Sequence, residues 1–390
     1  MLTVIIFLIV LAVLIFVHEL GHFLFAKMFG IRVDAFKIGF GPKIFSWTPN
    51  KKDGTKGETE YGLNLIPFGG YVKIFGENPD DTSTHGPEAK KRSMVHKPRW
   101  QQAIVLVGGV LFNFLFATII YIGLLSHGMV TAPDNFPGYS QYLSNPRIMI
   151  TGLTDGLPAQ KAGLKDGDVI VSVYKSASSE SATSTIQGIQ QVINANNGSE
   201  VVVNYIRGGH ANLVHVLPTL GIAVSTTTLD NMAQKYFIGI QMADAVDIKL
   251  PFFTAVYEGG VFSTEILKIT AVGLYDFIGQ AFHGKADLSQ VTGPVGIAKD
   301  VGDAFSVGIG SLLSLTALIS INLAIINLLP FPALDGGRVF FLAIEAVIRR
   351  RLPANITNWV NVVGFGLLML LMVVITYREV ATEIMKHFAK

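Results

Sequence analysis

The sequence predicts an α-helical polytopic membrane protein with four transmembrane helices, a membrane-associated β-hairpin and an inserted α+β domain. Half of the 390 residues are hydrophobic and only 15% are charged, against about 25% charged residues in an average soluble protein. Four apolar stretches are each close to the ~20 residues that cross the hydrocarbon core of a bilayer. A longer, more polar stretch between the second and the third carries the patterns of strands.

The composition excludes several kinds of site. The chain has no cysteine, so it has no disulfide framework, no thiolate zinc site and no cysteine nucleophile. Any metal must be held by His, Asp or Glu side chains. The net charge of +2 argues neither for nor against nucleic acid. No basic stretch is interleaved with aromatic residues, so we predict no nucleic-acid binding. No basic segment precedes the first apolar run and no A-x-A site follows it, so we expect no cleavable signal peptide.

The first apolar segment, at 1–30, contains the pentapeptide His18-Glu19-Leu20-Gly21-His22. On a helix, residues four apart lie about 40° from each other around the axis, so both histidines can reach one metal ion. Neutral imidazole is a good zinc ligand, and an adjacent carboxylate can accept a proton from a water that the metal activates. Ionisable residues are costly in an apolar span and usually functional. The bland alternative is two structural histidines with an incidental glutamate.

The orientation of the spans is predicted from their basic loops. The other three spans are expected at 103–125, 309–345 and 359–377. The loops 31–102 and 346–358 are rich in Lys and Arg, whereas no Lys or Arg precedes Lys27, so both loops are predicted to be cytoplasmic. The predicted exterior parts are the N-terminus, the loop 126–308 and the tail 378–390. The histidine motif then lies toward the cytoplasmic end of its span.

The first cytoplasmic loop is predicted to hold a β-hairpin followed by a linker. Phe36–Trp47 and Glu60–Ile74 are rich in aromatic and β-branched residues, and they flank the polar run Pro49–Gly57, which predicts a turn. Their apolar side chains are too many for a solvated two-stranded ribbon, so we expect the hairpin to pack on, or dip into, the membrane domain. The alternative is a cytoplasmic hairpin that packs on itself. The polar segment Asn78–Arg99 predicts a mobile linker.

The exterior loop is predicted to hold a soluble domain at 145–243. Strands are expected at Ile148–Leu153, Val169–Tyr174, Val201–Ile206 and Leu213–Leu217, and a helix at Thr185–Asn196. The run that starts at Pro158, PAQKAGLKDGDVI, resembles the P-A-x-x-A-G-L-x-x-G-D-x-I turn of bacterial PDZ domains. The later Phe237-Ile238-Gly239-Ile240 resembles, less specifically, the loop with which PDZ domains hold a peptide C-terminus, placed last as in circularly permuted bacterial forms.

The segment 251–308 is predicted to lie at the membrane surface. Its first part, Pro251–Phe282, is apolar enough to mimic a fifth span, which is the alternative. At helical pitch Glu258, Glu265 and Asp276 fall within about 20° of one another. One polar stripe on an apolar helix is typical of an interfacial segment. A fifth span would also put the two basic loops on opposite sides of the membrane.

The third span carries a second group of unusual residues. Asp335, in Leu334-Asp335-Gly336-Gly337-Arg338, follows a long apolar stretch that two prolines interrupt. A carboxylate at that depth needs a partner, and it can supply the third ligand that the two histidines lack. Three protein ligands plus water make an open catalytic zinc site. The alternatives are that Asp335 caps a helix or pairs with Arg338.

Together these segments resemble the site-2 protease family of intramembrane zinc metalloproteases, and within it the bacterial type that cleaves anti-sigma factors and remnant signal peptides. The resemblance covers nearly the whole chain. The matching segments are HELGH at 18–22, GFGP at 39–42, PFGGYVK at 67–73, KPRWQ at 97–101, the PDZ turn, TGPVGIA at 292–298 and residues 322–337.

The resemblance implies specific roles and partners. It implies one Zn²⁺ ion bound by His18, His22 and Asp335, with Glu19 as general base. It implies that Asn322, Pro330 and Pro332 shape the substrate cleft, and that the hairpin, at Gly69, Gly70 and Tyr71, pairs with the substrate as a strand. The implied setting is the bacterial cytoplasmic (inner) membrane. The implied partners are the lipid bilayer and transmembrane-helix protein substrates that another protease has trimmed.

Two features depart from the family pattern. Where the family commonly has A-G-P-x-x-N, this chain has Gly108-Gly109-Val110-Leu111-Phe112-Asn113, so the helix break that a proline would cause is left open. Better-known relatives carry two tandem PDZ domains, and this chain carries one, so a two-domain scheme of substrate filtering has no support here.

The expected function is hydrolysis of peptide bonds in, or near the cytoplasmic edge of, transmembrane helices. Glu19 would take the proton of the attacking water, and the metal and Asn322 would stabilise the oxyanion. One rival function is a membrane scaffold that binds peptide termini without chemistry, and bound zinc would count against it. Another is a metal transporter with the same ligands, which predicts polar residues along several spans, whereas spans two and four are nearly bare.

Overall fold

The computed structural model describes residues 2–50, 57–77, 87–154, 156–175, 185–222, 234–287 and 291–388. The chain forms two compact units, which we call the helical unit and the sheet unit. The helical unit comprises Met1–Ile122, Val256–Gly302 and Ser314–Lys390, and the sheet unit comprises Gly123–Ala255 and Asp303–Leu313. Of the predicted turn and linker, residues 51–56 and 78–86 lie outside the described residues.

The secondary-structure elements are numbered in chain order. The helices are α1 (Leu2–Met28), α2 (Pro87–Lys91), α3 (Arg99–His127), α4 (Pro158–Lys161), α5 (Ile186–Ala195), α6 (Phe252–Phe282), α7 (Pro294–Val307), α8 (Ile309–Leu328), α9 (Asp335–Ile348) and α10 (Ala354–Phe388). The strands are β1 (Val33–Trp47), β2 (Glu60–Ile74), β3 (Met129–Thr131), β4 (Leu143–Leu153), β5 (Val169–Lys175), β6 (Val201–Arg207), β7 (His210–Val216), β8 (Thr219–Ile222), β9 (Gln234–Phe237) and β10 (Ile240–Ile248).

Four helices, α1, α3, α8 and α10, are long and apolar enough to cross a membrane, and they lie at the four predicted positions. Among the described helices α6 does not meet that description, in line with the acidic residues along it. Helix α10 is longer than the predicted span 359–377, and it continues through most of the predicted tail 378–390. The reason is local, because no Gly or Pro follows Tyr377 to stop the helix.

The predicted third span, 309–345, is two helices with a break between them. Helix α8 ends at Leu328, residues 329–334 are not helical, and α9 begins at Asp335. The break contains Pro330 and Pro332, and Ala333 has the left-handed φ of 72°. The interruption predicted from the prolines is therefore present, and it starts a new helix at the candidate metal ligand.

The hairpin of β1 and β2 is a sheet in which each strand is used twice. Segments 35–38 and 60–63 run parallel to each other, and the other neighbouring segments are antiparallel. Residues 35–38 of β1 pair with 60–63 of β2 on one side and with 70–73 on the other. Residues 43–47 of β1 pair with 61–64 of β2. Four strand segments therefore lie side by side, and the end of β2, from Gly70 to Ile74, forms one edge of the sheet.

The base of the hairpin packs on α1, and the far part is exposed. Phe36, Val72 and Ile74 share a buried cluster with Ala26 of α1. The far part exposes large apolar side chains, namely Phe40, Ile44, Phe45, Trp47, Leu63, Leu65 and Ile66. A hairpin that packs only on itself would not leave this surface exposed, and a contiguous apolar patch usually marks a contact surface.

The predicted mobile linker is wrong from residue 87 onward. This part forms α2 and a 3₁₀ turn at Met94–His96. Ser93 and Met94 are buried, and the main-chain N–H of Met94 donates to the carbonyl of Phe75. The segment is polar overall, but its buried Met94 packs against the base of the hairpin and holds the segment there.

The sheet unit is built on a six-stranded sheet in the order β3-β10-β4-β5-β6-β7, with antiparallel neighbours. Helix α5 packs on it through Ile189 and Ile193, and the Thr185 hydroxyl caps that helix by accepting from the N–H of Gly188. The four predicted strands and the predicted helix correspond to β4–β7 and α5. The boundaries 145–243 are too narrow, because β3 and the end of β10 complete the sheet.

Candidate metal centre

Helix α1 presents His18 and His22 on one side. Their Nε2 atoms lie 3.3 Å apart. The Nδ1 of His22 is 2.8 Å from the main-chain oxygen of Val105 in α3. Because a carbonyl oxygen can only accept, that ring nitrogen carries the hydrogen and Nε2 is left as a lone-pair donor. The α1–α3 contact thus selects the tautomer of His22 that can bind a metal.

The break between α8 and α9 brings Asp335 to the histidines. A Cβ on Gly336 would lie 2.3 Å from the carbonyl oxygens of Leu328 and Leu329, and one on Gly337 would lie 2.2 Å from that of Phe331. Only glycine allows the loop to fold back this closely on the first turn of α9. The Oδ2 atom of Asp335 then lies 3.0 Å from His18 Nε2 and 3.3 Å from His22 Nε2.

These three atoms fit a tetrahedral zinc site. Zinc bonds of about 2.0–2.1 Å at tetrahedral angles place neighbouring ligand atoms about 3.3 Å apart, and the three observed separations are 3.0, 3.3 and 3.3 Å. Within the described part of the chain Asp335 Oδ2 makes no properly directed hydrogen bond, although two ring nitrogens are this close. The lone pairs therefore converge on a common point, and the fourth position is left to water or substrate.

Glu19 lies between this group and the edge of the hairpin. Its carboxylate accepts a hydrogen bond from the main-chain N–H of Val72 and is close enough to interact electrostatically with all three ligand side chains. A Cβ on Gly70 would lie 3.4 Å from the Glu19 Cγ. The candidate base and a free strand edge are therefore neighbours.

Helix α3 reaches the site through adjacent glycines. A Cβ on Gly21 would lie 2.2 Å from the carbonyl oxygen of Gly108, and one on Gly109 would lie 2.4 Å from His22 Nε2 and 2.6 Å from His18 Cε1. Small residues let two helix backbones approach this closely. Helix α3 runs through these residues without a break. The chain lacks the proline of the family pattern A-G-P-x-x-N, and it has no helix break there.

A family model of peptidase family M50 matches residues 6–371. A Clostridium perfringens protein whose name describes it as a zinc metalloprotease is 33% identical, over 95% of this chain and 96% of that protein. The chain belongs to peptidase family M50. Zinc metalloprotease RasP of Shouchella clausii is 28% identical over 97% of this chain and 99% of its own. A Staphylococcus aureus protein described as a zinc metalloprotease is also 28% identical, over 97% and 98%. The site-2 protease resemblance is confirmed, and the chain is a zinc metalloendopeptidase.

The M50 site contains one residue to which the sequence alone assigns no role. Asn113 of α3 is fully buried, and its Nδ2 lies 3.2 Å from His18 Nδ1. Its Oδ1 has no hydrogen-bond partner among the described residues. The signal in the sequence is its place four residues after Gly109, one helical turn along the face that meets α1.

The predicted cleft residues of the M50 chain lie in and beside the α8–α9 break. Asn322 is in α8 with its Oδ1 buried and unpartnered in the described part of the chain. Two residues earlier, the Ser320 hydroxyl donates to the main-chain oxygen of Asn113. Pro332 packs against α10, where a Cβ on Gly364 would lie 2.4 Å from the Cβ of Pro332. Pro330 is exposed.

The three predicted hairpin residues differ in position. Gly70 faces Glu19, as described above. Gly69 has a φ of 92°, and its missing Cβ makes room for the ring of Phe40. Tyr71 stacks on that same ring, with centroids 6.3 Å apart. Gly70 is therefore the one of the three that lies at the candidate base.

The alternative partner of Asp335 is engaged elsewhere. Arg338 forms an ion pair with Glu77, just beyond the end of β2. Asp335 occupies the first position of α9, with Leu334 as the N-cap. The sequence alternatives of helix capping and pairing with Arg338 are therefore wrong for the carboxylate, which faces the two histidines.

In the sheet unit, the segment from Phe237 to Ile240 links β9 to β10. Ile238 is buried in the core, and its carbonyl accepts from the N–H of Ala159. Gly239 has a φ of 82°, and a Cβ there would lie 2.5 Å from Leu157. Its carbonyl accepts from the N–H of Thr154.

Proposed function

We propose that the chain hydrolyses peptide bonds in, or near the cytoplasmic edge of, transmembrane segments of other membrane proteins. The observation that carries the proposal is the convergence of His18 Nε2, His22 Nε2 and Asp335 Oδ2 at 3.0–3.3 Å from one another on helices apolar enough to cross a membrane or directly following one. Hydrolysis needs water. The polar side chains of His18, His22 and Asp335 can bind water at a depth where lipid alone would exclude it.

The proposed roles follow from the donor set. The three side chains would hold one zinc ion, which supplies a polarised water and a Lewis acid for the scissile carbonyl. Glu19 takes the proton from the attacking water and later delivers it to the leaving nitrogen. The Val72 N–H that Glu19 accepts holds the carboxylate in place. Asn322, with its buried amide, is proposed to assist the developing oxyanion.

The decisive experiment is cleavage of a model transmembrane substrate by the purified protein in liposomes, with Glu19→Gln as the test variant. We expect the variant to keep one zinc per chain and to lose turnover by at least about a hundredfold, since a positioned general base contributes about 10²–10⁴-fold. Zinc content measured on the same sample separates loss of the base from loss of the site. Substantial turnover by zinc-replete Glu19→Gln protein would refute this role.

We propose that the substrate binds as a strand along the edge from Gly70 to Ile74. A helical substrate hides its scissile carbonyl, and pairing as a strand exposes it. The main-chain N–H of Phe75 donates to the main-chain carbonyl of Arg32, which lies just before β1. Because N–H groups alternate in direction along a strand, those of Tyr71 and Lys73 also face β1, and those of Gly70 and Val72 face away from it. Of the predicted residues Gly69, Gly70 and Tyr71, Gly70 is therefore the one that can pair with a substrate through both its N–H and its carbonyl. Val72 offers its carbonyl, because its N–H donates to Glu19.

The strand proposal can be tested on the substrate, which leaves the protease intact. N-methylation of single backbone amides removes one donor at a time. We expect cleavage to fall at alternate positions and to be little changed at the positions between them, because strand hydrogen bonds have a period of two. Loss at every position, or at none, would contradict pairing with a strand edge.

We propose that the sheet unit is a PDZ-type domain that admits substrates already trimmed by another protease. Its Φ-Gly-Φ segment at 237–240 is the less specific of the two PDZ resemblances, which gives little support to a role in recruiting peptide C-termini. Removing β4 to β10 should allow an untrimmed substrate to be cut if the unit filters, and should reduce cleavage of a trimmed substrate if it recruits. The endpoints are Leu143 and Ile248, because ending at Ala243 would divide β10.

We propose that the active site faces the cytoplasm of a bacterial inner membrane, with the PDZ-type unit outside. The support is the basic composition of the loops 31–102 and 346–358. The chain has no cysteine, so single cysteines can be introduced without background. A membrane-impermeant thiol reagent added outside intact cells should label Asn145→Cys and spare Arg350→Cys. The reverse pattern would invert the topology.

A further inference from the structure

A polar cavity of about 280 Å³ lies in the helical unit where α3 and α10 begin. This is close to the lower end of the range of about 300–1,000 Å³ for small-molecule sites. Its charged lining consists of four cationic side chains and two carboxylates, namely Lys97, Arg99, Arg338, Arg351, Glu77 and Glu345.

The two carboxylates are already engaged. Glu77 is paired with Arg338, and Glu345 accepts the main-chain N–H of Leu352 at 2.9 Å. In the described part of the chain no carboxylate pairs with Lys97, Arg99 or Arg351. Arg351 uses one amino group to donate to the carbonyl of Val95 at 2.7 Å. Three cations therefore share one cavity without a neutralising carboxylate among the described residues.

Two long helices add to the positive potential. Helix α3 begins at Arg99 and α10 at Ala354, and both line the cavity through their first turns, with Gln102 in one and Thr357 and Asn358 in the other. The N-terminus of a helix carries a partial positive charge and free N–H groups. Two such ends beside three unpaired cations make an anion the favoured occupant.

The position of the cavity narrows the class of anion. Helices α3 and α10 are both candidate spans, so their first turns lie at a boundary between membrane and water. Trp100, next to Arg99, is 58% exposed, as is typical of residues in the interfacial belt. The lining also includes apolar side chains, among them those of Leu106 and Phe341. A ligand with an anionic head and an apolar continuation matches both parts.

We propose that this cavity binds the headgroup phosphate of an anionic phospholipid, such as phosphatidylglycerol, with Lys97, Arg99 and Arg351 as its cationic ligands. Basic pockets between transmembrane helices are suited to such headgroups. The bound lipid bridges the start of α3 to the start of α10. It stabilises the helical unit without taking part in hydrolysis, so this proposal stands apart from the proposed function.

The test uses the full-length protein in nanodiscs that contain equal amounts of phosphatidylglycerol and phosphatidylcholine. Native mass spectrometry of the released protein reports which lipid is retained. We expect retention of phosphatidylglycerol, and a loss of affinity of about tenfold for Lys97→Gln and for Arg99→Gln, since each removes one charge-assisted contact. The matched control is Arg350→Gln, which removes the same charge beside Arg351 at a residue outside the cavity lining.

A second readout guards against misfolded variants. Phosphatidylglycerol should raise the unfolding temperature of the unchanged protein and of Arg350→Gln, and should raise that of Lys97→Gln much less. Zinc content reports whether each variant is folded. If Lys97→Gln or Arg99→Gln is not folded, Arg351→Gln is used in its place. If Arg350→Gln lost as much lipid affinity and stabilisation as Lys97→Gln, the binding would depend only on general surface charge, and the proposal would be overturned. Equal stabilisation by inorganic phosphate without lipid would identify a free-phosphate site instead.

Discussion

Asn113 should control zinc affinity through the hydrogen that His18 carries. With the amide Nδ2 facing His18 Nδ1 at 3.2 Å, the ring would hold its hydrogen on Nε2, which could not then bind zinc. Ligation through Nε2 requires the hydrogen on Nδ1 and an acceptor opposite it. The two ends of an amide have nearly the same shape, so rotation of the side chain brings the unpartnered Oδ1 to that position.

The size and sign of the effect follow from burial. Removing a residue that orients a metal ligand typically costs about 10–100-fold in affinity, or about 1.4–2.7 kcal/mol. Asn113 is 0% exposed, so no solvent replaces a lost acceptor, and we expect Asn113→Leu to fall in the upper part of that range. Asn113→Asp can only accept from the ring N–H, as in carboxylate–histidine–zinc triads, and should keep an affinity near that of the unchanged protein.

The assay is competition for zinc between the purified protein in detergent micelles and a chromophoric chelator. Ser320→Ala is the matched control, because the Ser320 hydroxyl bonds the main-chain oxygen of Asn113 and leaves its amide untouched. The nitrogen chemical shifts of His18 report its tautomer independently of activity. Equal losses in the Asp and Leu variants would show that the amide donates to the ring, and the reasoning would then fail.

Three further outcomes are expected. Asp335→Ala should lower both zinc stoichiometry and turnover, because two histidines alone make a weak site, and unchanged metal affinity would remove Asp335 from the ligand set. Gly109→Ala should release zinc, since its Cβ would lie 2.4 Å from His22 Nε2, whereas Gly123→Ala on the same helix meets nothing within 4 Å and should retain it. Lys37, and then Lys43, lower the pKa of Glu60 from 4.5 to about 2. A depressed folded-state pKa stabilises above the unfolded value and is lost as the pH falls through the folded one, so the unfolding temperature should drop from pH 4.5 toward pH 2 more steeply than in Glu60→Gln, and parallel curves would contradict the pairing.

The metal ligands could be predicted from the sequence, because their spacing and their apolar surroundings can be read from neighbouring residues. His18 and His22 are one helical turn apart, and Asp335 stands out as a carboxylate after an apolar stretch. The four spans follow from length and composition alone. The hairpin strands also follow from local pattern, and the predicted Glu60–Ile74 coincides with β2.

What the sequence could not supply depends on contacts between distant segments. Each hairpin strand pairs twice, which no alternation pattern encodes, and this double pairing makes Gly70 to Ile74 an edge of the sheet. The segment 87–99 looks like a linker by composition, yet the buried Met94 fixes it to the hairpin base. Asn113 ends a recognisable family pattern, but the pattern alone does not give its role, which depends on where α3 meets His18 of α1.

The close approach of backbones is the common physical requirement of this site. Gly21 and Gly108 bring α1 and α3 together, Gly109 leaves space over the two imidazoles, and the pair Gly336-Gly337 lets the preceding loop fold onto α9. Each approach governs a different part of the ligand set, because the first two position the histidines and the third positions Asp335. In lipid, helix association depends on packing of this kind rather than on the hydrophobic effect. A methyl group at Gly109, which meets the histidine side chains, should therefore cost metal affinity before it costs the fold, whereas one at Gly21 or Gly336, which meets backbone atoms, should cost both.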